Sequence, residues 1–282
     1  METLTLCEMV VEEDSLDALL GVLTLNVPFG WEEASLPTGE TRVRVYCGNA
    51  EFIQTLGEKV RVMVPAVQMR VEDVNLPDWQ EAWKQFFTPV ACGARYLVVP
   101  PWLADSTDFG GRWPLIIEPK SAFGTGHHAT TALCLGVLSE LVDAGRVCAG
   151  MRFLDLGTGS GILGLGCCRA GLTGLGTDID SLAVENTREN IVNNGVSGFE
   201  VALGSVEVAA GRTFDLVLAN ILARPLCELA PQLVPCVAKG GVLVLSGILE
   251  VQADTVQQAY MAQGLPAPRR VIDGEWAALV WE

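Results

Sequence analysis

Three glycines at alternate positions, Gly157, Gly159 and Gly161, follow Asp155 at the end of an apolar run from Met151 to Leu156. A strand that turns through glycines into a helix brings backbone N–H groups close to a ligand, and the apolar, Gly/Ala-rich stretch Ile162 to Ala170 supplies the helix. Spacing decides which ligand. In the dinucleotide fingerprint G-x-G-x-x-G, counting from Gly157, the third glycine falls on Ile162, so the pattern is D-x-G-x-G-x-G instead. Taken alone, the loop also reads as an ordinary strand-to-helix turn. The next strand, Leu175 to Asp180, strengthens the ligand reading. It ends in Asp178 and Asp180, about 20 residues on, where a carboxylate receives a ribose diol. A further strand, Phe214 to Asn220, delivers Asn220 at its carboxyl end, the end where ligands bind in open α/β sheets. Ser205, after Gly204, closes the strand Phe199 to Leu203, where an adenine edge could be read.

A second chemistry-bearing stretch is Ala122-Phe-Gly-Thr-Gly-His-His-Ala-Thr-Thr131, which holds both histidines, His127 and His128. As metal ligands they lack a third histidine and any cysteine or acid at ligand spacing, so no metal is expected. Adjacent residues at a helix start point in different directions, so at most one histidine would face a ligand. Thr130 or Thr131 can cap the helix that runs to about Val142, or donate to a cofactor carboxylate; the residues leave both open.

These residues need a scaffold. From Met151 onward strands and helices alternate: Ser181 to Asn194 is a helix with Ser181 as N-cap, Leu222 to Val237 is largely helical despite Pro225, Pro231 and Pro235, Val242 to Ser246 is a strand, and Glu250 to Met261 is a helix. Arg270 to Asp273 and Trp276 to Trp281 form a terminal hairpin. Two short strands, Arg95 to Val99 and Trp113 to Glu118, lead into this domain. Upstream, Thr3 to Val11, Arg42 to Cys47 and Arg61 to Val67 have strand character; Ser15 to Leu25, with Asp14 or Ser15 as N-cap, and Ala50 to Leu56 read as helices. The order suggests a small ferredoxin-like α+β domain, a recognition module or an inert appendage. Between them, Asn75-Leu-Pro-Asp78 starts a helix in which Trp79, Trp83, Phe86 and Phe87 fall at helical spacing. That stripe packs the helix on a domain or forms an aromatic cage. The expected division is residues 1–70, a linker helix over 71–92, and a catalytic domain over 93–282.

Composition narrows the class. No uninterrupted apolar run reaches 18 residues, so no membrane span is expected, and Met-Glu-Thr-Leu carries no basic stretch of a signal peptide. Nine cysteines with no Cys-x-x-Cys pair read as reduced thiols of a cytoplasmic protein. A net charge of −16 with only four lysines argues against direct nucleic-acid binding and suits a basic partner, although acidity also simply aids solubility.

D-x-G-x-G-x-G resembles motif I of the class I methyltransferases that use S-adenosylmethionine, and Asn220-Ile-Leu-Ala223 occupies the place of the N-P-P-Y-type motif of amino methyltransferases. Together with the Phe-Gly-Thr-Gly loop followed by Thr-Thr, Asp78-Trp79 with Trp83, Asp178-Ile-Asp180 and Leu245-Ser-Gly-Ile-Leu249, these segments make the chain similar to the bacterial PrmA-type methyltransferases, which modify a protein of the large ribosomal subunit. The resemblance covers Trp79 to the C-terminus. It departs from the family at Ala129, usually proline, and Lys120, usually glycine. It implies a Rossmann-like seven-stranded sheet together with the small N-terminal domain, cofactor contacts at Thr131, Gly157, Gly159, Asp178, Asn220, Phe123, Thr125 and Ser205, and a substrate-holding N-terminal domain. It further implies methylation of lysine side chains and the α-amine of one small ribosomal protein, by an enzyme expected to be monomeric. Asn220 is the expected catalytic residue, orienting a neutral amine for in-line displacement, with no dedicated general base. The alternative is a class I methyltransferase acting on another protein or a small-molecule amine. The lack of an aromatic after Asn220-Ile-Leu argues against stacking of a base or amide.

Overall fold

The computed structural model describes residues 3–27, 30–36, 38–75, 87–119 and 128–282. The chain divides into two compact units, Met1–Phe87 and Thr88–Glu282.

In the first unit the elements run β1 (Thr3–Val11), α1 (Glu13–Asn26), β2 (Glu32–Ser35), β3 (Thr41–Cys47), α2 (Ala50–Met63) and β4 (Gln68–Asn75). The antiparallel sheet has the order β2-β3-β1-β4, a ferredoxin-like arrangement. Alternate residues Cys7, Met9, Val43 and Val45 point to one face and bury against Leu19, Leu23, Ile53, Leu56 and Val60 from the helices. The expected strand Arg61 to Val67 is not formed. Its first residues complete α2, and the strand lies later, in β4. Val60, Val62 and Val64 alternate like a strand, but Ile53, Leu56, Gly57 and Val60 recur at helical spacing and are the buried set, while Val62 is 77% exposed. Helix α1 begins before the expected Asp14 or Ser15 cap: Glu12 is the N-cap, without a side-chain bond, and Glu13 and Asp14 place negative charge in the first turn. The helix expected over Trp79 to Phe87 lies almost wholly outside the described residues.

The second unit opens with a three-stranded sheet, β5 (Val90–Cys92), β6 (Tyr96–Val99) and β7 (Trp113–Ile116), in which β6 and β7 are parallel. Then come α3 (Ala129–Asp143), β8 (Arg152–Leu156), α4 (Ile162–Arg169), β9 (Thr173–Asp178), α5 (Ser181–Asn194), β10 (Phe199–Leu203), β11 (Phe214–Asn220), α6 (Ala223–Leu233), β12 (Val237–Leu249), α7 (Ala253–Met261), β13 (Arg269–Asp273) and β14 (Trp276–Trp281). The seven strands lie in the order β10-β9-β8-β11-β12-β14-β13, parallel but for β14, which is antiparallel to both β12 and β13. Both faces are covered. Phe153, Leu216 and Leu218 pack with α3 and α4, while Leu154, Leu156, Val217 and Ala219 pack with α6 and α7. This explains near-continuous apolar runs where a half-buried strand would alternate. Helix α5 starts as expected, but its N-cap is Asp180, whose carboxylate accepts from Leu182 N at 2.9 Å, and not Ser181.

Strand order reverses between β8 and β11, which opens a crevice at the carboxyl ends. Register sets what stands there. Leu156 pairs with Thr177 on one side and Ala219 on the other, so the next residues, Gly157, Asp178 and Asn220, come out at one level.

Candidate active site

A cavity of about 530 Å³ occupies that crevice and is lined by Gly157, Gly159, Asp178, Ser205 and Asn220, with Thr131 from α3. Six of the eight expected site residues thus meet in one place; Phe123 and Thr125 lie outside the described residues, as does His127.

The glycine loop owes its shape to backbone angles and to two acids. Gly157, Gly159 and Gly161 have φ of 71°, 57° and 82°, open to glycine and strained for other residues. A Cβ on Gly157 would come within 2.3 Å of Ile221 Cγ2. Asp155 is 1% exposed. Its Oδ2 accepts from Thr158 Oγ1 at 2.7 Å and from Gly164 N at 3.0 Å. Gly164 lies in the first turn of α4, whose N-cap, Gly161, has no side chain to offer; Asp155 therefore caps that helix from the strand. Burial pushes its carboxyl up to about 6; Asp178 pushes the same way, while the bonds from Thr158 and Gly164 oppose it. Asp178 braces the loop from the other side, accepting from Gly159 N at 2.9 Å and Asp180 N at 3.0 Å.

One expectation changes here. The amides of Gly157 and Thr158 both donate to Thr177 O, Gly159 N to Asp178 and Gly161 N to Thr158 O. The N–H groups of Gly157, Thr158, Gly159 and Gly161 are thus spent inside the protein, and Gly157 and Gly159 offer the cavity side-chain-free backbone.

At the start of α3, His128 is the cap: its Nδ1 accepts from Thr130 N at 3.3 Å and lies 2.8 Å from Thr130 Oγ1. Its ring meets Trp276 edge-on, centroids 4.6 Å apart. That leaves Thr131, 0% exposed, to face Asn220, whose Nδ2 approaches Thr131 Oγ1 at 3.4 Å. Asn220 Oδ1 is buried with no hydrogen-bond partner among the described residues. A buried acceptor left unpaired is costly and marks where a ligand's donor fits.

Gly247, Ile221 and Trp276 also line the cavity; the first two lie in segments that carry the family resemblance but are not among the expected site residues. Gly247 has φ of 82°, and a Cβ there would sit 2.5 Å from Ile221 O; Gly157 and Gly247 together make room for the Asn220–Leu222 turn. Trp276 arrives through tertiary pairing, with Leu249 on one side and Asp273 on the other.

The strand order, the glycine loop, the acid ending β9 and the buried asparagine ending β11 define a class I methyltransferase that uses S-adenosylmethionine. The donor set fits that cofactor: a carboxylate for a diol, backbone without Cβ for close approach, a hydroxyl from Thr131 and an unpaired carboxamide oxygen. The family model described as "Ribosomal protein L11 methyltransferase (PrmA)" matches residues 23–282, and the chain belongs to that family. A relative of that name from Pelobacter propionicus is 35% identical over 276 residues, covering 93% of this chain and 88% of the relative. One from Syntrophotalea carbinolica is 40% identical over 224 residues, covering 78% and 72%. Among solved structures, the ribosomal protein L11 methylase of Lactobacillus delbrueckii subsp. bulgaricus superposes with a TM-score of 0.62 at 28% identity, over 69% of this chain and 97% of that one.

Proposed function

We propose that this enzyme N-methylates lysine side chains, the α-amine, or both, of protein L11 of the large ribosomal subunit, in the cytoplasm and as a monomer. The N-terminal unit holds that protein, and the cavity of the second unit holds S-adenosylmethionine. When bound, the cofactor supplies a methyl carbon activated by a cationic sulfonium. Asp178 takes the ribose hydroxyls, Gly157 and Gly159 accommodate the methionine part, Thr131 donates to its carboxylate, and Ser205 lies at the adenine end. Phe123 and Thr125 belong to the same site by sequence.

Asn220 carries the acceptor side. A free lysine has a pKa of about 10.4 and must lose a proton before it can attack; burial beside a positive charge favours the neutral amine. Asn220 Oδ1 accepts a hydrogen from that amine and turns its lone pair toward the methyl group. Orientation of this kind can supply roughly 7–11 kcal/mol of the barrier. No side chain is assigned as general base, and water carries the proton away. The observation that carries the reading is the buried Asn220 Oδ1, unpaired among the described residues, in one cavity with Asp178, Gly157 and Thr131.

The test is incubation with labelled S-adenosylmethionine and purified large-subunit ribosomal proteins, read by intact mass. Mass gains in methyl steps on L11 are expected, and Asn220→Ala should lower turnover roughly 100-fold. Near wild-type turnover in that variant would remove Asn220 from its role. Transfer only to other proteins or small amines would move the substrate assignment and keep the chemistry.

A further inference from the structure

The inner face of α5 carries three asparagines one turn apart, Asn186, Asn190 and Asn194, exposed by only 2%, 0% and 7%. Buried carboxamides destabilise unless paired, and their pairing is unequal. Asn194 stitches the helix to the edge of β7: its Nδ2 donates to Ile116 O at 2.7 Å and its Oδ1 accepts from Ile116 N at 2.9 Å. It makes no bond to the glycine loop. Asn190 bonds two separate segments. Its Nδ2 donates to Ser160 O of the glycine loop and to Asn186 Oδ1, both at 2.9 Å, and its Oδ1 accepts from Glu118 N at 2.9 Å. One turn earlier Thr187 Oγ1 donates to Gly159 O at 2.8 Å. Gly159 lines the cavity; Ser160 and Asn190 do not.

We infer that Asn190 is a positioning residue for the cofactor site, locking the glycine loop to the chain that leaves β7 at Glu118. The inference rests on the reading of the cavity as the S-adenosylmethionine site. Both Nδ2 hydrogens and the oxygen of Asn190 are engaged, so the carboxamide has one orientation: a flip would set its NH₂ against Glu118 N and its oxygen against Ser160 O. The function needs a donor and an acceptor on one short fork, which asparagine supplies. Aspartate keeps the shape and the acceptor for Glu118 but sets an oxygen against Ser160 O. The amides of Gly157, Thr158, Gly159 and Gly161 hold the loop to Thr177, Asp178 and Thr158, and α5 grips its carbonyls from behind, Thr187 at Gly159 O and Asn190 at Ser160 O.

Asn194 is the internal control, buried on the same helix face and tied to β7 itself at Ile116. The experiment compares Asn190→Ala with Asn194→Ala by amide hydrogen exchange in the cofactor-free protein and by calorimetric titration with S-adenosylmethionine. For Asn190→Ala, exchange should quicken in both the 159–161 and 117–119 segments. Cofactor Kd should rise roughly 10-fold, with kcat at saturating cofactor within about threefold. For Asn194→Ala, exchange should quicken near Ile116 while Kd stays within about twofold. Equal effects of the two variants on Kd, or an Asn190→Ala protein with unchanged loop exchange, would overturn the inference. If Asn190→Ala does not fold, Asn190→Asp takes its place, with faster exchange expected at 159–161 and protection kept at Glu118; protection kept in both segments would overturn the inference. Failure of the wild-type protein to bind the cofactor would instead overturn the reading of the cavity, and the exchange comparison would still decide whether Asn190 locks the loop.

Discussion

The two units are both built of strands and helices around apolar cores, yet their polar interiors differ sharply. Among the described residues, Thr5 is the single buried polar side chain of the N-terminal unit; Asp155, Thr131, Thr158, Asn190 and the others all belong to the second. Topology accounts for the contrast. In an antiparallel sheet with the order β2-β3-β1-β4, the carboxyl ends of neighbouring strands point in opposite directions and do not gather at one edge. In the parallel sheet the ends of β8, β9 and β11 point the same way, and the reversal of order between β8 and β11 parts the loops that follow. Polar groups gather where that crevice must be shaped, and each needs a partner because it is buried. Among its described residues the strand pairs of the N-terminal unit are all antiparallel and present no such reversal, in keeping with the proposal that it serves recognition and the second unit chemistry.

That contrast can be broken in several ways. Gly157→Val should have the largest effect: it adds a side chain where φ is 71° and Ile221 already stands. Cofactor affinity should fall by roughly 100-fold or more, measured by calorimetry. Retained affinity would mean that the crevice is not the cofactor site. Removing residues 1–87 should lower methyl transfer to the ribosomal protein by a comparable factor, roughly 100-fold, while cofactor Kd stays within about threefold. Full transfer by the truncated protein would end the assignment of recognition to the first unit. Ile53→Ala, in the N-terminal core at 0% exposure, should destabilise that unit by about 2–4 kcal/mol in denaturant titration, with cofactor affinity unchanged. A coupled loss would show that the units do not divide the work.

The smallest expected effect concerns pH. Asp155 has its carboxyl raised from 3.8 to about 6 in the folded protein, so folding favours the protonated acid. Its contribution to stability is greatest below about pH 4, declines as pH rises toward 6, and is flat above. Asp155→Asn removes this slope. The melting temperature of the variant minus that of the wild type should therefore rise between pH 4 and pH 7, by an amount corresponding to roughly 2–3 kcal/mol. A constant difference would place the buried proton elsewhere.

The second unit was largely legible because long apolar runs punctuated by glycine or acid, such as Met151 to Gly157 and Phe214 to Asn220, leave few alternatives for a buried parallel strand. The first was less so. Its strand β2 is largely exposed and β3 largely half-buried, and Val60, Val62 and Val64 satisfy a strand pattern locally while α2 buries a helical stripe. Caps were the least legible. Three helix starts, at Glu12, His128 and Asp180, differ from the expected residues, because a cap depends on the angle at which the chain enters the helix and several neighbouring residues can serve.

By itself, the amino-acid order determined the fold class, the seven-stranded sheet and the strand ends on which Gly157, Asp178 and Asn220 stand, because periodicity and glycine spacing are local properties. Only the tertiary structure decided which groups meet. Thr131 and Asn220 are 89 residues apart in the chain and 3.4 Å apart in the fold. Ile221 is fitted between Gly157 and Gly247, Trp276 stands against His128, and Asn190 spans two loops. Such pairings follow from strand order and register, which are set by how the whole core packs and are written in no single segment.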